Sequence, residues 1–234
     1  MTEPWLSGLL ACSLTTDAEQ LRAALHARGL KTRSVPAGRA KAAWTCVTDR
    51  GTLAVVVSGR GQEAARQAAS FWMPRARWLA VAEAGPATHD TEPNEVILDG
   101  DRELTILARL GAPPGTPVTE ARVAAVREAA LGAAAKQTLE AAGFAAWDPN
   151  VDTWRQAAQA VGGVIIVCHA VVPDHAPSLQ QEIPDGATAR PWWRTAMGLL
   201  SPTRKARQRQ ADEAHEQAIT RAARCAVAAL LGTT

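Results

Sequence analysis

The sequence predicts a single α/β domain, a sheet covered by helices, and three observations lead there. Short apolar runs alternate with helical patterns along the whole of its 234 residues. A chain of that length suits one large domain and buries about 70% of its unfolded surface, so it needs no staples. No tandem repeat or linker interrupts it, so 1–234 reads as one domain, with 190–234 a basic, Trp-containing helical segment at its end.

Residues 9–14 (LLACSL) read as a buried strand. Thr15 or Thr16 is placed to cap the helix that follows, DAEQLRAALHAR, and Glu19 completes a capping box after Thr16. Gly29 suits the C′ position where that helix stops. Extended runs follow at 42–47 and 52–58 (TLAVVVS), and the second breaks into Gly59-Arg60-Gly61 before a helix over 62–72. Strands are read at 78–82 (WLAVA) and 95–98 (EVIL). Propensity favours helix throughout 121–142, whereas the alternation at 122–126 (RVAAV) fits a strand ahead of a helix over 131–142; both readings stand. A helix over 152–161 leads through Gly162-Gly163 into VIIVCHAVV, the most strand-like run of all. A Pro- and acid-rich loop covers 173–185, and a long helix over 203–231 closes the chain.

Composition removes several function classes. Hydrophobic residues make up 47%, ordinary for a globular protein. A net charge of +2 is too small for a dedicated nucleic-acid binder. Eight Trp beside no Tyr read as genome base composition. Of the four cysteines, Cys12, Cys46 and Cys168 sit in apolar runs and read as small buried hydrophobes, while Cys225 stands apart. No CxxC or Cys/His pairing suggests zinc. Cys168 and His169 are strand neighbours facing opposite sides, so they do not share a metal. With no leader-like start and no run of ~20 apolar residues, a reducing cytoplasm is expected.

The most informative unit is VVVSGRGQEAARQAA. A buried strand stops at Ser58-Gly59-Arg60-Gly61 and a helix begins at once. Glycines let the backbone approach a ligand, and the free N–H groups of a helix start favour an anion. A plain strand-to-helix turn gives the same pattern, so the motif alone leaves both readings open.

With its neighbours, this unit resembles the nucleoside phosphorylase/nucleosidase superfamily. SGRGQEAARQAA is similar to that family's phosphate or ribose loop, S-G-x-G followed by small residues. LLACSLTTDAEQL resembles its first strand and turn, with Asp17 on an acidic position. AVAEAGPATHDTEPNEVILD resembles the segment usually read G-x-A-G-G, then G-D-[IL]-V. AKQTLEAAGFAAWDPN and AVGGVIIVCHAVVPD resemble the stretch running from A-V-D-M-E-S through a helix to G-[VLI]-P and V-V-R-A-I-S-D. Gly162 follows Asp148 by the 14 residues that separate D-M-E from G-[VLI]-P in the family. The likeness covers about residues 7–175, and the Lys136 segment and basic tail look most like the hopanoid-associated branch, whose members release adenine from adenosylhopane.

The resemblance implies a three-layer α/β/α fold with a mixed, partly barrel-like central sheet. It implies cleavage of the N-glycosidic bond of a purine nucleoside, adenosine-like or lipid-linked, by phosphate or water. Such a reaction passes through a cationic sugar, helped by protonating the leaving base, placing an anion or water opposite it and holding the ribose hydroxyls. Asp174 then stands for the acid on the base, displaced one place because Val172-Pro173-Asp174 replaces S-D. Asp17 is the water activator of a hydrolytic member. Asn150 takes the place of the ribose Glu, His169 that of the anion-binding Arg, and Glu83 and Gly85 fall within the eroded G-x-A-G-G as substrate contacts. Ser58, Gly59, Arg60 and Gly61 form the phosphate loop. No metal and no cofactor is expected, phosphate entering only as a co-substrate, and a homo-oligomer is implied. The replaced residues also support a second reading, an inactive member acting as a nucleoside sensor or interaction module. In the tail, Trp192, Trp193, Met197, Leu199 and Leu200 precede Arg204, Lys205, Arg207 and Arg209, a pattern that suits a peripheral membrane surface or a plain solvated helix.

Overall fold

The computed structural model describes residues 5–88, 94–126, 133–172 and 202–232. Its element order is β1 (Leu6–Cys12), α1 (Thr15–His26), β2 (Arg33–Ser34), β3 (Ala42–Thr48), β4 (Gly51–Val57), α2 (Gln62–Trp72), β5 (Trp78–Gly85), β6 (Val96–Gly100), α3 (Arg102–Leu110), β7 (Val118–Glu120), β8 (Arg122–Ala124), α4 (Ala133–Ala141), β9 (Phe144–Trp147), α5 (Val151–Ala160), β10 (Val164–Val171) and α6 (Pro202–Leu231). Eight strands form one mixed sheet in the order β2-β3-β4-β1-β5-β10-β6-β7. Its centre, β4-β1-β5-β10, is parallel, whereas β3 and β6 run antiparallel to their inner neighbours. β8 and β9 make a small parallel pair. That pair is tied to the large sheet by an Ala87–Ala146 bridge and by the Ala121 N–H on the Leu98 carbonyl.

Alternation along the central strands sends side chains to two cores, as strands buried on both faces require. Leu10, Cys12, Val55, Ala80, Ala82 and Cys168 meet Leu21 and Leu25 of α1, Leu104 and Ala108 of α3, and Ala222, Cys225 and Ala226 of α6. Leu9, Ala54, Val56, Leu79, Val81 and Val167 meet Ala68 and Trp72 of α2 and Val151 and Trp154 of α5. The three-layer α/β expectation therefore holds. The small residues of α6 let that helix lie close to the sheet; Gly111, after α3, sits where an added Cβ would come within 2.0 Å of the Ala228 Cβ. All four cysteines are buried and free.

Several local readings shift. β1 ends at Cys12 rather than running on to residue 14, because Ser13 leaves the ladder for a side-chain partner on β5. α1 begins at Thr15 with Leu14 as its N-cap, so Thr16 is already inside the helix; the capping box does not form, and the Thr16 hydroxyl instead lies 3.3 Å from Asp17 Oδ1. Gly29 does close α1: with φ +76° it donates to the His26 carbonyl, and Leu30 donates to that of Leu25. The strand-then-helix reading of the Ala-rich middle is the one that forms, as β8 and α4. α3 falls outside the elements read from the sequence. Asp101 caps it by accepting from the Glu103 and Leu104 N–H groups at 2.9 and 3.2 Å.

Candidate functional site

α1 leaves β1 toward one face of the sheet and α2 leaves β4 toward the other. Where neighbouring parallel strands send their helices to opposite faces, a crevice opens beyond their carboxyl ends, the place where open α/β sheets bind ligands. The Ser58 N–H donates to the Cys12 carbonyl at 2.9 Å, so both strand ends reach the crevice together. Gly59 and Gly61 take φ of +93° and +89°, a conformation that excludes ordinary side chains and explains the glycines of the loop. α2 starts at Gly61 with no side-chain cap, and Gln62 Nε2 reaches across to the Pro149 carbonyl at 3.2 Å, tying the loop to the end of β9. The Ser58 hydroxyl is spent on the carbonyls of Cys12 and Gly59, and Arg60 is exposed.

Next to this loop lies a buried polar cluster. Ser13 donates its hydroxyl to Glu83 Oε1 at 2.7 Å and accepts from Asn150 Nδ2 at 2.8 Å. Asp148 Oδ1 accepts the N–H groups of Asn150 and Val151 at 2.7 and 3.1 Å, so it holds the start of α5. Asp17, on the first turn of α1, is 1% exposed and meets His215 of α6 at 2.9 Å. In β10, His169 sits opposite Glu83 in register, with its ring against Gly85, where an added Cβ would lie 3.0 Å from Cε1.

Burial dominates the electrostatics. It pushes the Glu83 carboxyl well above its usual 4.5, reinforced by the neighbouring Asp148 and Asp17 carboxylates. Asp148 rises from 3.8 to about 6 through burial, while its two backbone donors pull the other way. The Cys12 thiol is pushed up by burial and by Asp17 and Glu83, and stays protonated. His169 is lowered from 6.5 to about 4, again by burial, so its imidazole is neutral. The backbone of Gly85 and Pro86 faces that ring, but neither nitrogen reaches hydrogen-bond geometry. Nδ1 and Nε2 of His169 and Oδ1 of Asn150 are buried polar atoms without a partner among the described residues. Such atoms are costly to leave unpaired in a fold.

No protein-family model matches the sequence, and no curated protein matches it. Solved structures match over nearly the whole chain. Futalosine hydrolase of Helicobacter pylori superposes with a TM-score of 0.68 at 10% identity, covering 96% of this chain and 97% of that one. The 5′-methylthioadenosine/S-adenosylhomocysteine nucleosidase of Neisseria meningitidis, in complex with methylthio-immucillin-A, gives 0.69 at 13% identity over 95% and 97%. The corresponding enzyme of Colwellia psychrerythraea, in complex with adenine, gives 0.68 at 12% identity over 99% and 97%. This chain has the nucleosidase fold.

Within the nucleosidase fold, Ser58 to Gly61, Glu83, Gly85, Asn150, His169 and Asp17 all fall at the carboxyl-end side of the central strands. Asp174, Trp192 and Trp193 lie outside the described residues. Among the described residues no helix is long and apolar enough to cross a membrane, and no group of His, Cys, Asp or Glu is arranged to hold a metal ion. Two members of the site, Ser13 and His215, escape sequence reasoning, and Asp148 enters it only as a spacing mark. Asp148 leaves a local signal, an Asp three residues ahead of the start of α5; the other two are defined by partners 70 and 198 positions away.

Proposed function

We propose that this chain cleaves the N-glycosidic bond of a purine nucleoside, with water as the nucleophile. The observation that supports the reading is the set of orphaned buried atoms, Asn150 Oδ1 and the two His169 nitrogens, on the carboxyl-end side of the central strands. An acceptor without a donor suits a ribose hydroxyl. A neutral imidazole suits a sugar or base and not a phosphate dianion, which needs a charged fork. The Ser58 hydroxyl is already spent on backbone carbonyls, which favours hydrolysis over phosphorolysis. The adenine and nucleoside-analogue complexes of the fold's relatives point to an adenosine-like ligand. In the reaction, the bond from C1′ to the base breaks with its electron pair going to the base, water oxygen bonds to C1′, and Asp17 takes the water proton. Asp174 supplies the proton to the leaving base.

The test is chromatography of free adenine after incubation with adenosine or 5′-methylthioadenosine, with and without phosphate. The expected outcome is adenine release that phosphate does not accelerate. Release that depends on phosphate overturns the choice of water. Binding without release supports the alternative, a nucleoside sensor, which the neutral replacements at Asn150 and His169 favour.

A further inference from the structure

Asp17 is gripped by a residue from the far end of the chain. Its Oδ1 lies 2.9 Å from Nε2 of His215, and the side chains are 1% and 19% exposed, so the pair runs from the buried cluster to the surface. On its outer side His215 lines a groove of about 350 Å³ between α1 and α6, together with Thr16, Glu19, Gln20 and Glu216. The position of His215 is set by helix register. One turn on, Gln20 binds both Glu216, at 3.2 Å, and the Thr220 hydroxyl, at 3.1 Å, which locks α6 against α1. An imidazole N–H on one oxygen of a carboxylate fixes the plane of the group and leaves the second oxygen for another partner. The sequence separation of 198 residues hides this contact from any local pattern.

Resting on the hydrolytic reading above, we propose that His215 is a positioning residue: it donates Nε2–H to Asp17 Oδ1 and turns Oδ2 toward the attacking water. His215 itself touches neither sugar nor base. Losing it frees the carboxylate to rotate, and a catalytic group displaced by about 1 Å costs roughly 10²-fold in rate. Ground-state binding of the nucleoside, which runs through Asn150, His169 and the Gly loop, is left alone.

The experiment measures kcat and KM for adenine release from 5′-methylthioadenosine by wild type, H215A, H215F and H215Q, with E213Q as a control on the exposed side of the same helix. Thermal melts report which variants fold. H215A and H215F are expected to lose about 10²-fold in kcat, with KM within about twofold. H215Q keeps an N–H donor at nearly the same reach and is expected to recover at least about a tenth of the wild-type rate. Equal kcat in H215Q and whichever of H215A and H215F folds, or a loss confined to KM or to melting temperature, overturns the role of His215 while the functional reading survives. A wild-type chain that releases no base overturns both.

Discussion

Glu83 and Asn150 are joined through one hydroxyl, that of Ser13, which donates to Oε1 of the first at 2.7 Å and accepts from Nδ2 of the second at 2.8 Å. Each partner is at least 96% removed from solvent. Ser13→Ala therefore strands an amide N–H and a carboxyl oxygen, at about 1–3 kcal/mol each. Chemical denaturation is expected to show a stability loss of about 2–6 kcal/mol. A loss below about 0.5 kcal/mol would mean that water replaces the hydroxyl at no cost.

The resembled family carries Glu where this chain has Asn150, and here a carboxyl stands instead at Glu83, one hydroxyl away. Asn150→Glu then adds a third carboxyl to Glu83, raised by burial and by Asp148 and Asp17, and to Asp148, raised by burial and by Asp17. At pH 7 the variant is expected to melt well below wild type, and Glu83→Gln in the same chain to restore much of the difference. Equal melting of N150E and wild type at pH 7 contradicts the coupling.

Glu83 also sets a pH signature. A carboxyl raised in the fold stabilises it below the unfolded value and loses that contribution as pH climbs through the folded value. Burial, then Asp148, then Asp17 raise Glu83, and Asp148 adds the same trend between 3.8 and about 6. Glu83→Gln removes the Glu83 share, so its melting temperature is expected to gain on wild type as pH rises from 4.5 toward the folded value. A constant difference across that range contradicts it.

His169 is the reverse case. Lowered from 6.5 to about 4, it contributes stability above 6.5 that is lost as pH falls through 4. With both nitrogens unpartnered, an apolar residue of similar volume is neutral or stabilising. His169→Leu is expected to melt at or above wild type at pH 7, to hold its melting temperature better from pH 6.5 down to 4, and to lose most adenine release. A loss of more than about 2 kcal/mol at pH 7 would reveal a structural bond to the ring.

What the sequence displayed follows from what is local. The glycines of 59 and 61, the break after β4 and the run VIIVCHAVV carry their signals within a few residues, and each forms where it was read. α3 had a usable signal, Asp101 ahead of Leu104 and Ala108, which the Pro- and Gly-containing stretch after it obscures. β7 and β9, of three and four residues, are too short for periodicity to show. The site divides the same way. Asp17, Glu83 and Asn150 stood out as polar residues at telling positions, but their bonding is tertiary. Ser13 looks like any hydroxyl at a strand end until β5 is beside it, and His215 looks like a helix surface residue until α1 is packed against it.

That last contact has a consequence for how the protein comes into being. β10 lies inside the sheet and α6 shares one face of it with α1 and α3, yet both follow most of the sheet in sequence. A chain made only as far as β9 has β5 without its β10 neighbour, and Leu10, Val55 and Ala80 without the α6 side chains that complete their core. Asp17 gains its partner only after β10 and the start of α6 have been made, so a chain stopped before α6 lacks the Asp17–His215 pair.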